Sequence, residues 1–282
     1  MAMNLFNSSS PGTMPVVRTL IIINVVAYLL VWLTKTSIGM LAFDVLALHN
    51  WLSPNFKPWQ LITHMFLHDM GGIFHLFFNM LALYMFGTAL EQTWGPKRFV
   101  FYYFVCGIGA AILHNTVVAI QLQPMIEAAD VYLSQPSYTA FESFVSSYLP
   151  GSYDNNEINK FLTAWEAQRN NIDAISKSRE IVSEIVDLRI NTPTVGASGA
   201  IYGLLLAFGM TFPNAMIMML IPPIPMKAKY FVLVFGIIEL WTGLKAELED
   251  PVAHFAHLGG MLFGILLIFY FRKQDKNKYR YL

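Results

Sequence analysis

The chain has 282 residues, 55% apolar and 13% charged, with a formal net charge of zero and a mean hydropathy of +0.48. Ordinary soluble domains are about 25% charged, so this composition argues against one and for a polytopic membrane protein. Zero net charge gives no general attraction to nucleic acid, and a single cysteine, Cys106, excludes an intrachain disulfide.

A hydrocarbon core about 30 Å thick needs roughly 17–25 apolar residues in a helix. Six stretches meet that requirement, at about 16–33, 72–90, 99–120, 195–212, 228–244 and 252–271. The residues ahead of the first lack a basic start and a small-residue cleavage site, so that stretch is expected to be retained as a helix. Between the first two lies a long outer loop, 34–71, whose Trp51, Phe56, Trp59 and Phe66 suit the headgroup region. Between the third and fourth lies a segment at 121–194 with ten acidic and five basic residues and the apolar spacing of amphipathic helices. A helical extramembrane insertion is expected there. The run "AMIMMLIPPIP" at 215–225 is too short to span and carries three prolines, so it reads as an interfacial connection.

Six spans put both termini on one side. That side holds ten basic residues, from Arg18 to Arg280, against Lys35, Lys57 and Lys245 in the short loops opposite. The excess predicts cytoplasmic termini. Helices two, four and six then run inward from the outer face. At about 1.5 Å per residue, His75, Ser198 and His257 fall roughly 5–10 Å below their outer ends. Polar groups at such depth face protein or a water-filled cavity. Each has a bland reading: Ser198 as a small packing residue, His75 and Asn79 as an interhelical bridge, and Gly199-xxx-Gly203 and Gly260-xxx-Gly264 as close-packing surfaces. The same glycines would also bring helices four and six near enough for Ser198 and His257 to share a hydrogen bond, so the packing and catalytic readings are compatible.

Taken together, His75-x-x-x-Asn79, Gly196-Ala-Ser198-Gly199 and Ala256-His257-Leu-Gly-Gly260-x-x-x-Gly264 resemble the rhomboid intramembrane serine proteases. Tyr202 and Gly87-x-x-x-Glu91 also fit, and the resemblance covers all six spans. It implies an all-α, six-helix bundle in which Ser198 is the nucleophile and His257 the general base. His75, Asn79 and the backbone N–H of Ser198 would form an oxyanion hole, with Tyr202 packed against His257 and Gly196, Gly199 and Gly260 in support. The substrates would be transmembrane segments of other membrane proteins, cut near the outer face through an acyl-enzyme. The fifth helix and the loop after it would gate their entry. Two departures stand out: Gln60 follows Trp59 where the family often has arginine, and the 121–194 insertion, open to a recognition partner, is far longer than in minimal members.

Rival readings come from other residues. Glu239, an acid in an apolar stretch, raises the possibility of a transporter, but no matching broken-helix pattern accompanies it; it reads as a protonated or hydrogen-bonded group. A catalytically inactive client-binding relative is the other alternative, and the intact Ser198, His257, His75 and Asn79 weigh against it. His254 competes with His257 for the base role but lacks the following glycine pair. His64 and His68 have the spacing of a metal pair without the His-Glu-x-x-His arrangement, so structural hydrogen bonding is expected of both and neither a metal nor a cofactor is expected. His114 and Cys106 receive no role. The sequence therefore predicts a multi-pass protease of a prokaryotic plasma membrane.

Overall fold

The computed structural model describes residues 14–34, 37–151, 153–169, 171–218, 223–245 and 252–278. Lys35 and Arg280 of the charge count, and positions 219–222 of the proline-rich connection, lie outside them. Among the described residues, four helices are long and apolar enough to cross a membrane: α1 (Pro15–Leu33), the continuous helix Ile73–Trp94, α6 (Pro96–Ser134) and the first part of α12 (His254–Lys278). Their outward faces are strongly apolar, as at Ile22, Phe74 and Leu266. Side chains of that kind are stable against lipid and costly against water. The protein is a helical multi-pass membrane protein.

The helix Ile73–Trp94 comprises α4 (Ile73–Ala82), a π-type turn at Leu83–Gly87 and α5 (Thr88–Trp94). It also secures α1. Proline opens α1, where a missing N–H has no cost. The next two N–H groups, of Val16 and Val17, donate to the buried carboxylate of Glu91 at 3.1 and 2.9 Å. An anion at a helix N-terminus satisfies orphan donors and favours the helix dipole. At the same end of the bundle, Arg98 of α6 makes a two-pronged contact with Asp275 of α12 at 3.0 and 2.8 Å.

The third apolar stretch does not stop at 120. α6 continues through Pro124 to Ser134, and its two halves serve two cores. Phe99, Tyr102, Tyr103 and Cys106 belong to the membrane bundle, whereas Leu122, Met125, Ala129 and Tyr132 pack with α7 (Tyr138–Tyr148), α8 (Asn155–Ala167) and α9 (Ile172–Asn191) around the fully buried Trp165. The caps on these short helices are visible in the sequence. Ser137, Asp154 and Asn171 each accept a first-turn N–H, the usual way to start a polar-faced helix. The insertion is thus built on an extension of a bundle helix.

α10 (Ser198–Thr211) is the central element, with most of its residues buried between α6 and α12. Fourteen residues rise about 21 Å, well short of a 30 Å hydrocarbon layer, so Ser198 begins the helix below the ends of its neighbours. The expected start at 195 is replaced by non-helical chain up to Ala197. The connection near 215–225 contains a two-stranded antiparallel ladder, β1 (Met216–Met218) with β2 (Pro225–Lys227), ahead of α11 (Ala228–Lys245).

The connection between α1 and the helix Ile73–Trp94 holds α2 (Ser37–Leu46) and the short α3 (Gln60–Thr63) and is tied to the bundle by polar contacts. Leu48 and Thr194 exchange backbone hydrogen bonds at 3.0 and 2.8 Å. Asn50 donates to the side chain and carbonyl of Asn115 on α6, both at 3.0 Å. Gln60, fully buried, uses all its capacity within the loop. Its amide N–H groups donate to the carbonyls of Val45 and Asn55, and its oxygen accepts the N–H groups of His49 and Lys57.

Candidate active site

Gly196 fixes the approach to the serine. Its N–H donates to the His64 carbonyl at 3.0 Å, and its φ of 131° is one that residues with a side chain rarely adopt. A methyl group there would lie 3.3 Å from His75 Cε1 and 3.6 Å from Ser198 Oγ. Glycine at 196 therefore leaves open the space shared by His75 and Ser198. The first-turn N–H groups of α10, beginning with Ser198, have no partner one turn back in the helix.

α12 brings the histidine. Its backbone passes so close to α10 that a Cβ at Gly260 would lie 1.8 Å from the Gly199 carbonyl oxygen, and one at Gly199 would meet Ala110 of α6 at 2.5 Å. Both positions admit only hydrogen. With the helices in contact, His257 Nε2 lies 2.9 Å from Ser198 Oγ. The Tyr202 ring stacks on the imidazole, centroids 4.1 Å apart and planes within 6° of parallel. The bland packing reading of the glycines and the close Ser–His pair hold together: the packing produces the pair.

The partners of Glu239 come from other helices and are not legible in the residues around it. From α11 its carboxylate receives the Tyr202 hydroxyl on one oxygen and lies 2.6 Å from His254 Nδ1 with the other. The second oxygen is also 3.0 Å from His257 Nδ1, a close approach that lies off the line of a hydrogen bond. Glu239 is hydrogen-bonded, as expected, but it is not isolated. The signal that could have found it is the position itself, since an acid in an apolar helix facing a histidine-bearing helix needs a partner. His254 turns toward Glu239 and Thr242, whereas His257 faces the serine.

Of the two residues expected to donate to an oxyanion, His75 flanks Gly196 beside the serine, and Asn79 is buried one turn further on. The Asn79 amide donates to the His75 carbonyl at 2.9 Å. Behind Ser198 a cavity of about 10 Å³, room for one water, is lined by His64, His114, Thr194 and Gly196 among others. His64 Nδ1 contacts the Gln60 carbonyl at 2.8 Å, and His114 Nε2 contacts Thr194 Oγ1 at 2.9 Å. His68 departs from the expected structural hydrogen bonding. Among the described residues neither of its ring nitrogens finds a hydrogen-bond partner, and it packs edge-on against His75. Burial holds His64 down to about 4 and, with His75 nearby, His68 down to about 3. Donor atoms of Glu239, His254 and His257 lie within 4.8 Å of one another; a cation there would have to replace the proton that joins Glu239 to His254.

A family model described as the Rhomboid domain matches residues 55–124 and 174–274, more than half of the chain. The chain belongs to the rhomboid family. The unmatched gap falls in the helical insertion. Among curated rhomboid relatives, the Rhomboid protease GluP of Bacillus subtilis is 46% identical over 54 residues, covering 19% of this chain and 10% of the relative. The mitochondrial Rhomboid protein 1 of Saccharomyces cerevisiae is 33% identical over 101 residues, covering 35% and 28%. The Inactive RHOMBOID-like protein 8 of Arabidopsis thaliana is 40% identical over 57 residues, covering 20% and 16%. The matches thus span less than a third of each of these relatives, which include both protease and inactive rhomboids by name.

Proposed function

We propose that this rhomboid is an intramembrane serine protease that hydrolyses transmembrane segments of other membrane proteins near the outer face. The observation that carries the reading is the 2.9 Å contact between His257 Nε2 and Ser198 Oγ, within the 2.6–3.2 Å reach that activation of a serine requires. In this reading six spans, contributed by α1, the helix Ile73–Trp94, the first half of α6, α10, α11 and α12, bring both termini to one side, and the excess of basic residues there supports the cytoplasmic side of a plasma membrane. The outer loop and the insertion then lie on the opposite side.

In this mechanism Ser198 Oγ attacks the scissile carbonyl carbon as His257 Nε2 takes the hydroxyl proton. The negative oxygen that forms is met by the backbone N–H of Ser198 and by His75 and Asn79, once the Asn79 amide leaves the His75 carbonyl. Collapse breaks the C–N bond, and His257 passes its proton to the departing amine. A water then attacks the acyl-enzyme with His257 again as base, releasing the carboxylic acid and restoring Ser198. The small cavity beside Ser198, lined in part by His64, His114 and Thr194, has room for the water that attacks the acyl-enzyme. An oxyanion donor is worth about 2.7–4 kcal/mol in the barrier, and for Asn79 the release from the His75 carbonyl offsets part of that.

The alternative, an inactive rhomboid that binds client helices, draws on the relative named inactive. One experiment separates them. Purified protein is reconstituted in liposomes with a single-span reporter, and the fragments are sized. Wild type cuts, while Ser198→Ala and His257→Ala do not. Reporter bound but uncut by wild type favours the inactive reading, and cutting undiminished in either variant removes the dyad.

A further inference from the structure

We infer that Glu239 is a positioning residue for the proposed hydrolysis, its carboxylate fixing the tautomer of His257 and balancing the charge that His257 gains. The inference rests on the protease reading and goes beyond the two-residue dyad that reading contains.

For Nε2 to accept the Ser198 proton, the proton of the neutral imidazole must sit on Nδ1. That nitrogen is buried, and among the described residues it has no well-aligned hydrogen-bond partner. The nearest acceptor is Glu239 Oε2 at 3.0 Å. A carboxylate there attracts an Nδ1–H and repels an Nδ1 lone pair, so it selects the tautomer that leaves Nε2 free. When Ser198 gives up its proton, the resulting imidazolium lies against an anion in a low-dielectric interior, where Coulombic attraction is far stronger than in water.

The carboxylate does not depend on His257 for its own placement. Tyr202 holds one oxygen, and His254 Nδ1 lies 2.6 Å from the other. Tyr202 also stacks on His257, so one side chain positions both the acid and the base. Among the described residues, the ionisable groups around His257 are Glu239 from α11, Tyr202 from α10, His254 from its own helix, His75 from α4 and His114 from α6. Among the described residues, Glu239 is the carboxylate that reaches it. An acid buried within an otherwise apolar helix is costly to keep, and this contact gives it a use. Because the contact lies off the hydrogen-bond line, Glu239 acts mainly through charge. Its removal should therefore cost less than the roughly 10⁴-fold seen when a fully hydrogen-bonded triad acid is neutralised.

The test is steady-state cleavage of the liposome reporter by the full chain, with kcat expressed per active site titrated by a fluorophosphonate. Glu239→Gln should lower kcat about 10- to 100-fold with KM changed less than about twofold, and Glu239→Asp should recover part of the loss. His254→Ala, which leaves the carboxylate held by Tyr202, should lower kcat by less than Glu239→Gln does. A Glu239→Gln enzyme within threefold of wild type per titrated site overturns the inference. So does His254→Ala falling as far as Glu239→Gln, since the pair would then be a latch between helices. If Glu239→Gln does not fold, Glu239→Asp decides, and an unchanged kcat at that variant is contradictory. Wild type that neither labels nor cuts is a different failure, which removes the protease reading itself.

Discussion

The ring of Tyr202 lies flat against the imidazole of His257 while its hydroxyl reaches Glu239 on the neighbouring helix. Two functions of one side chain can be separated by substitution. Tyr202→Phe keeps the stack and loses the hydroxyl, and should reduce kcat only about threefold to tenfold. Tyr202→Ala loses both and leaves the imidazole free to rotate from Ser198; a loss of about 100-fold or more is expected, since small misplacements of a reacting group cost that much. Initial rates on the reporter at saturating substrate measure both.

The contact between Gly199 and Gly260 predicts the most severe packing variant. A Cβ at 260 would fall 1.8 Å from a backbone oxygen, and backbone cannot yield as a flexible side chain can. Gly260→Ala must push α12 away from α10, opening the Ser198–His257 distance. Overpacking of this kind costs about 1–3 kcal/mol or more. Thermal unfolding in detergent should register the loss, and fluorophosphonate labelling should fall below that of a conservative lipid-facing change such as Leu266→Ile.

Gln60 stands where many rhomboids carry arginine, and it serves the loop by hydrogen bonding. Both donors and both acceptor sites are used on backbone groups of the outer loop. At about 1 kcal/mol net for each bond, and more where a buried partner is orphaned, Gln60→Ala should destabilise the protein by about 2–4 kcal/mol. Gln60→Glu is a sharper probe: the carboxylate keeps the shape but has no donor for the carbonyls of Val45 and Asn55. Amide exchange at 45–57 should rise in both variants while exchange in α7–α9 stays unchanged.

Acid should weaken the same loop. His64 and His68 are held by burial to about 4 and about 3, whereas an unfolded imidazole takes its proton near pH 6.5. Between those values the unfolded chain binds more protons, so stability falls as pH drops from about 6.5 toward 4 for His64 and toward 3 for His68, and is flat above. A melting temperature followed from pH 8 to pH 4 should show that slope. In His64→Gln the part of the slope due to His64 should disappear.

Much of this architecture could be read from residue types. The apolar runs mark the bundle helices, and the glycines around Ser198 and His257 signal close helix contact. What escaped depends on contacts between distant segments. Pro124 and the polar residues beyond 120 look like the end of a helix, yet α6 continues because α7–α9 bury its far face. Proline-rich 215–225 looks irregular, and only the pairing of Met216 with Lys227 makes it a ladder. Glu239 looks solitary because Tyr202, His254 and His257 reach it from two other helices.

The central claim is that His257 activates Ser198 for attack. Its most direct measurement is mass-spectrometric localisation of a fluorophosphonate adduct on the reconstituted protein. The account predicts a single stoichiometric adduct on Ser198 in wild type, with labelling slowed at least about 100-fold in His257→Ala. Labelling of Ser198 at an undiminished rate without the histidine, or reporter cleavage by a protein whose Ser198 never reacts, would contradict it.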